Sequence, residues 1–236
     1  MPRASSKRKA APLNPSSVTS SSSLSAADTP TGKSKTKSKS APRGVDNIFD
    51  SYANEALGVI DPEGIEALCL DMKVEVTDVR ILMLAWKLNA QKQGYFTKDE
   101  WRTGMKALGV DTISKLVKAL PRLENEVEMP ENFKDFYSYA FRYCLTEEKQ
   151  KNVDIESICE LLNLVLRSKF QSKIDLLIDY LKIQKDYKVI NHDQWLGFLQ
   201  FCQEIKFPGL ENYDPDLAWP LILDNFVDWV KENRGS

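Results

Sequence analysis

From Val45 onward, apolar residues recur every three or four positions, as in Ile65, Leu68, Cys69 and Met72 and again in Trp195, Phe198, Leu199 and Cys202. That spacing puts each set on one side of a helix, so the body of the chain reads as nearly all helix. Start signals agree with the periodicity. Thr97 with Glu100 and Ser172 with Asp175 have capping-box spacing, and Asn191 with Gln194 is a close variant. Two stretches are apolar almost all round: Ile81 to Trp86, and Leu161-Leu162 followed by Leu164-Val165-Leu166. A helix of that kind is either fully buried or buries one side and offers the other to a ligand.

Laying these segments over one another exposes an internal repeat. Ile60-Asp61-Pro62-Glu63-Gly64-Ile65 matches Val153-Asp154-Ile155-Glu156-Ser157-Ile158, and Phe96-Thr97-Lys98-Asp99-Glu100-Trp101 matches Ile190-Asn191-His192-Asp193-Gln194-Trp195. In each, an extended apolar residue precedes an N-cap and then a helix; the two such points lie 36 residues apart in the first copy and 37 in the second. This is the spacing of paired EF-hands, and it predicts short strand pairs joining Ile60 to Phe96 and Val153 to Ile190. The fold expected is therefore all-α, with two EF-hand-like helical lobes.

The loops themselves argue against calcium. Loop positions 1, 3 and 5 hold Ala53, Glu55, Leu57; Asn89, Gln91, Gln93; Thr146, Glu148, Gln150; and Ile183, Lys185, Tyr187. A calcium loop needs several carboxylates at these positions and a bidentate Glu at position 12, and only Glu100 supplies an acid there. Glu100 is more simply the acid of its helix's capping box, so the loops are expected to be metal-free scaffolding.

Composition narrows the function further. The chain has 236 residues, 42% hydrophobic and 28% charged, enough for one globular unit or two small lobes. Its apolar runs fall far short of the roughly 20 residues a bilayer span needs. Met1 to Lys9 is basic, but a Ser-rich polar stretch follows where a secretory signal would be apolar, and Pro2 argues against myristoylation. Cys69, Cys144, Cys159 and Cys202 fit no metal knuckle or disulfide framework and read as reduced core cysteines. His192 is the only histidine, which excludes multi-histidine metal sites and leaves no readable nucleophile-base pair; it reads as an exposed residue in a helix's first turn. No cofactor and no catalytic residue of its own is expected.

The formal net charge of −2 conceals an asymmetry, since residues 1–44 hold nine Lys/Arg against the single acid Asp28, and the remainder holds 23 basic and 33 acidic residues. Serine runs and the alternating Lys33, Lys35, Lys37 and Lys39 make 1–44 read as a disordered basic tail. Its Lys7-Arg8-Lys9 cluster could serve nuclear import, and the expected location is nucleus and cytoplasm. A body net of −10 argues against a nucleic-acid partner.

The ends of the second lobe carry a family resemblance. Asn191-His192-Asp193-Gln194-Trp195, then Asn212-Tyr213-Asp214 and Ala218-Trp219-Pro220-Leu221-Ile222-Leu223-Asp224-Asn225-Phe226-Val227, is similar to the potentiating-neddylation domain of the defective-in-cullin-neddylation family. Ala85-Trp86-Lys87 and Phe133-Lys134-Asp135-Phe136-Tyr137 resemble it as well, giving a domain over 45–233 with lobes near 45–110 and 130–233. The basic Ser-rich tail resembles the branch without an N-terminal ubiquitin-binding domain. The resemblance implies a scaffold-type co-ligase that binds a cullin C-terminal domain and the acetylated N-terminus of the modifier-conjugating enzyme, promoting transfer without a reacting side chain of its own.

By the same resemblance, Asp193, Ala218 and Asp224 would form an acidic cullin-binding patch. The segment from Phe207 to Ser236 has six acids against Lys231 and Arg234, which favours a basic partner. Asp193 alone is equally an acid in a helix's first turn, where the macrodipole favours it. Asn225 stands where relatives often carry a second acid. The acetyl-methionine pocket would be lined by Ile65, Ile81, Leu82, Leu84, Ala85, Gln93, Phe96, Tyr143, Leu161 and Leu164, with Leu161 replacing an aromatic of some members and Gly94 a cysteine. Without the resemblance, the same residues read as helical core, and the alternative function is a metal-independent EF-hand-like adaptor for an unrelated helical peptide.

Overall fold

The computed structural model describes residues 43–234. The Lys7-Arg8-Lys9 and Lys33 to Lys39 clusters lie outside the described residues. Ten helices and two small antiparallel sheets make up the described part, with no helix long and apolar enough to cross a membrane. Helix α1 (Arg43–Tyr52) leads into β1 (Ala53–Asn54) and β2 (Val59–Ile60), then α2 (Pro62–Met72) and α3 (Val79–Leu88). After β3 (Phe96–Thr97) come α4 (Lys98–Leu108), α5 (Ile113–Glu128) and α6 (Pro130–Tyr143). The second copy comprises β4 (Asn152–Asp154), α7 (Ile155–Val165), α8 (Arg167–Ile183), β5 (Val189–Asn191) and α9 (His192–Glu204), and α10 (Leu221–Arg234) closes the fold.

The expected strand pairs are present: Ile60 pairs with Phe96 and Val153 with Ile190, both antiparallel. The first sheet has a third strand that the repeat did not indicate, with Ala53 opposite Ile60. Thr97 with Glu100 and Asn191 with Gln194 form complete capping boxes. Asp61 and Asp154 cap α2 and α7, accepting from the N–H groups of Gly64 at 3.0 Å and Ser157 at 2.9 Å. Ser172 is a correction. The helical geometry of α8 breaks at Phe170, at φ −135° and ψ 42°, and a second helical run starts directly after it, so the helix start falls two residues before Ser172, which lies in its first turn and does not cap it.

Each loop is tied by side-chain hydrogen bonds. Asn54 Oδ1 accepts from Ala56 N at 3.0 Å, and its Nδ2 donates to Asp61 at 2.7 Å. Glu100 accepts from Gln91 N at 2.9 Å and Thr97 N at 2.7 Å, which is its capping role extended across the loop. Gln150 accepts from Thr146 N at 2.9 Å and donates to Asn152 O at 2.8 Å; Gln184 accepts from Tyr187 N at 2.7 Å and donates to Tyr187 O at 2.9 Å. These groups satisfy loop backbone that would otherwise face solvent or an ion. No cluster of three or more His, Cys, Asp or Glu side chains suited to a metal occurs among the described residues.

Helix α6 joins the two copies, which is why it buries Phe133, Phe136, Tyr137, Tyr139, Ala140, Phe141 and Tyr143 on almost every side. Toward the first copy, the Tyr139 hydroxyl donates to Ala90 O at 2.9 Å and Trp86 Nε1 donates to Asp135 at 2.8 Å. Toward the second, Tyr137 stacks on Trp195 with centroids 4.2 Å apart. The Tyr137 hydroxyl donates to Trp195 O at 2.8 Å and Trp195 Nε1 donates to Tyr137 O at 2.9 Å. Both polar tips are thus satisfied inside an aromatic contact, as buried Tyr and Trp require.

Candidate interaction surface

The surface at the end of the second copy is built on α9, the connection over 205–220, and α10. Helix α9 is fixed at its start by the Asn191 box and by Trp195 against α6. Asp193 is exposed in that first turn, near the unpaired N–H groups that favour a carboxylate. His192 is not exposed as expected: it is half-buried, with Nε2 3.0 Å from Ser138 Oγ and its ring 5.4 Å from Phe141. The packing of α9 on α6 turns the first residue of the helix inward.

The other end of α9 is closed by two side chains that no capping signal in the sequence marked. Asn212 donates to Glu204 O at 2.8 Å and accepts from Lys206 N at 2.7 Å. The Lys173 ammonium donates to Cys202 O and Ile205 O, each at 2.5 Å, placing a cation where helix carbonyls are unpaired. Burial lowers the Lys173 pKa. Buried Leu210 takes a left-handed conformation at φ 57°, unusual for so bulky a residue and held here by the packed connection.

Tyr213 stacks on Trp219 at 5.8 Å, and both rings pack against Phe201 of α9. Gly197 admits Pro220: a Cβ at 197 would lie 2.7 Å from the proline Cγ. Asp193 lies one helical turn before Gly197, on the same face of α9, while Ala218 precedes Pro220 by two residues and Asp224 comes after it in the first turn of α10. Asp193 and Asp224 thus sit on the two helices on either side of the Gly197–Pro220 contact, and Ala218 lies two residues before it. Asp193 and Ala218 are exposed.

Asp224 departs from the simple exposed acid the sequence suggested. It is half-buried and accepts a short hydrogen bond from the Tyr213 hydroxyl. Burial, and next the Asp224 carboxylate, hold the Tyr213 phenol well above its ordinary pKa, so it stays a donor. Asn225 donates to the Tyr187 hydroxyl at 3.1 Å, tying α10 to the fourth loop. A second acid there would lack that donor. Tyr213 belongs to the motif read from the sequence, but nothing local indicated that it fastens Asp224. Gly197, a glycine inside a helical pattern, was the one available signal of a close approach.

The apolar set is distributed through the core. Leu84, Ala85, Phe96, Ile65, Tyr143 and Leu161 are buried, Ile81, Leu82 and Leu164 are half-buried, and Gln93 is exposed. Helix α3 packs against α4, α5 and α6, which accounts for its nearly all-round apolar surface. The Tyr143 hydroxyl accepts from Gly94 N at 3.2 Å, linking α6 to the loop that carries Gln93. Tyr143 borders a cleft of about 180 Å³ with Asn89, Gln91 and Arg142, and Leu164 borders a separate one of about 430 Å³ with Asn163 and Arg167. A larger cleft of about 820 Å³ between α7 and α8, lined by Cys159, Ile178, Leu181 and Tyr187 among others, contains none of the expected lining residues.

A family model described as Cullin binding matches residues 115–229, which takes in Asp193, Ala218 and Asp224. Human DCN1-like protein 4 is 43% identical over 178 residues, covering 75% of this chain and 60% of its own length. Human DCN1-like protein 5 is 38% identical over 178 residues, with 73% of its length covered. DCN1-like protein 3 of Xenopus tropicalis is 36% identical over 192 residues and 63% of its length. The chain thus spans about three fifths of the protein 4 relative and nearly three quarters of the protein 5 relative.

Proposed function

This chain belongs to the cullin-binding, DCN1-like family, and from that membership we propose that it is a scaffold in cullin neddylation. It binds the C-terminal domain of a cullin through Asp193, Ala218 and Asp224, and holds the acetylated N-terminus of the modifier-conjugating enzyme in an apolar site drawn from Ile65, Ile81, Leu82, Leu84, Ala85, Gln93, Phe96, Tyr143, Leu161 and Leu164. The observation that supports the reading most directly is the close approach of Pro220 to Gly197, because Asp193 lies one helical turn before that contact, Ala218 and Asp224 lie just before and after it along the chain, and the family-matched stretch includes all three. A scaffold needs no reacting side chain, because holding two partners in productive geometry raises their effective concentration. Tyr213 fixes one oxygen of Asp224 and so orients the carboxylate before a basic partner arrives.

The test uses the full chain, a purified cullin C-terminal domain and calorimetry. Asp193→Arg and Asp224→Arg should each weaken cullin binding by about 30-fold or more, since setting a cation against the partner's basic residues replaces attraction with like-charge repulsion, which costs several kcal/mol. Their stabilities should differ. Asp193→Arg should move unfolding free energy by about 0.5 kcal/mol or less, as expected of an exposed position. Asp224→Arg should cost about 1 to 3 kcal/mol, because the Tyr213 hydroxyl loses its acceptor. Both variants should retain preference for an acetylated over a free-amine N-terminal peptide, since acetylation removes a charge that an apolar site cannot solvate. Unchanged cullin affinity in both folded variants would remove the patch from the function, and equal affinity for the two peptides would remove the acetyl-group mechanism.

A further inference from the structure

The Leu217 to Leu221 stretch raises a question that the acids do not answer. Leu217 is 56% exposed and Leu221 66% exposed, on either side of Pro220. The exposure does not come from a loosely held segment. Leu217 N donates to Asp214 O at 3.3 Å, Trp219 N to Leu217 O at 2.7 Å and Leu223 N to Pro220 O at 2.7 Å. Between the two leucines, Trp219 stacks on Tyr213 and Pro220 fits against Gly197. The backbone is therefore pinned while two large apolar side chains are presented to water, with exposed Ala218 between them.

Aspartates border this stretch. Asp214 and Asp216 precede it, Asp224 and Asp228 come after it on α10, and Asp193 lies on α9 one helical turn before Gly197, which meets Pro220. An apolar centre with a polar rim is the anatomy of a protein interface. The sign of the rim selects the partner. Acids repel nucleic-acid phosphates and anionic lipid headgroups, and they attract a protein surface rich in Lys and Arg.

Resting on the cullin reading above and deepening it, we propose that Leu217 and Leu221 are the apolar centre of the same surface and close on an apolar side chain that the cullin C-terminal domain carries among its basic residues. The two parts of the surface then act on different steps. Charges speed encounter and make it sensitive to salt, whereas the desolvated apolar contact governs how long the complex lasts. Leu217 and Leu221 are affinity- and specificity-determining residues in this arrangement, since a cullin with a polar side chain at the matching place would be steered in and then released.

The experiment tracks binding of the full chain to an immobilised cullin C-terminal domain at several salt concentrations, alongside thermal melting. The Leu217→Ser/Leu221→Ser double variant should melt like the parent and bind about 10-fold or more weakly, through faster dissociation, with the salt dependence of affinity unchanged. Asp193→Asn should instead slow association and flatten the salt dependence. The Leu217→Met/Leu221→Met variant keeps apolar area and should restore most of the binding. Parent-like dissociation of the double Ser variant, with Asp193→Arg still weakening binding about 30-fold or more, would overturn the apolar centre and leave the cullin reading standing. Equal loss in the Ser and Met variants would overturn it too, since the effect would not track apolar character. Failure of the parent chain to bind would remove both.

Discussion

Trp101 and Trp195 hold the same place in the two copies of the repeat, each fully buried and each in a helix opened by a capping box. Their indoles are used differently. Trp101 Nε1 donates to Val45 O at 3.2 Å, closing α4 onto α1 within the first copy, while Trp195 locks onto Tyr137 of the central helix. The two helices also lead into different segments. After α4 the chain turns at Gly109, in the left-handed conformation, and enters α5, which packs on α3. After α9 it enters the Asn212 and Tyr213 connection that presents an acidic, leucine-flanked surface. The repeated part supplies the frame and Asp193, whose counterpart in the first copy is Asp99, whereas Ala218 and Asp224 lie in the part that is not repeated.

Removing the two indoles should break this comparison most sharply. Trp101→Ala and Trp195→Ala should each cost about 3 to 5 kcal/mol in denaturant unfolding, the usual range for a buried aromatic. Only Trp195→Ala should couple to Tyr137→Ala, by about 0.5 to 3 kcal/mol in a double-mutant cycle, because only those two rings are in contact. Additive costs for that pair would show that α6 and α9 are not joined through this stack.

The caps test equivalence instead of difference. Thr97→Ala and Asn191→Ala should each lower stability by about 1 kcal/mol and by similar amounts. A large disparity would mean that one copy carries strain the other lacks.

Asp61 and Asp154 sharpen the comparison through pH. Their carboxyls are held below the ordinary range chiefly by backbone N–H donors, of Gly64 for Asp61 and Ser157 for Asp154. A folded-state pKa below the unfolded one gives stability that is present above about pH 4 and is lost as pH falls through the lowered value. Asp61→Asn and Asp154→Asn should therefore flatten the acid limb of the stability curve, with little change near neutrality because Asn also caps helices. An acid limb unchanged in both variants would contradict the assigned cause.

The smallest expected effect is that of calcium. Asn54, Glu100, Gln150 and Gln184 already occupy the loop backbone in both copies, so millimolar calcium should leave the melting temperature where it is. A reproducible upward shift of several degrees would reveal a site, since an ion bound only by the folded state stabilises it by mass action.

The amino-acid sequence by itself determined the helical character, the paired strands at Ile60 with Phe96 and Val153 with Ile190, and the two capping boxes. These depend on groups within a few residues of one another, or on a spacing that occurs twice in one chain. Ser172 shows the limit of local reading, since the same spacing that opens α4 marks a helix start only to within two residues, the helical run beginning just after the break at Phe170. The bond from Tyr213 to Asp224 spans 11 residues without any periodicity, and the fit of Pro220 against Gly197 joins segments that neither predicts. The inward turn of His192 and the partial burial of Asp224 likewise come from α6, α9 and α10 packing together. Only the tertiary structure decided these, because which side of a helix meets its neighbours, and how deeply, is settled by the close packing of the whole core rather than by any short stretch of chain.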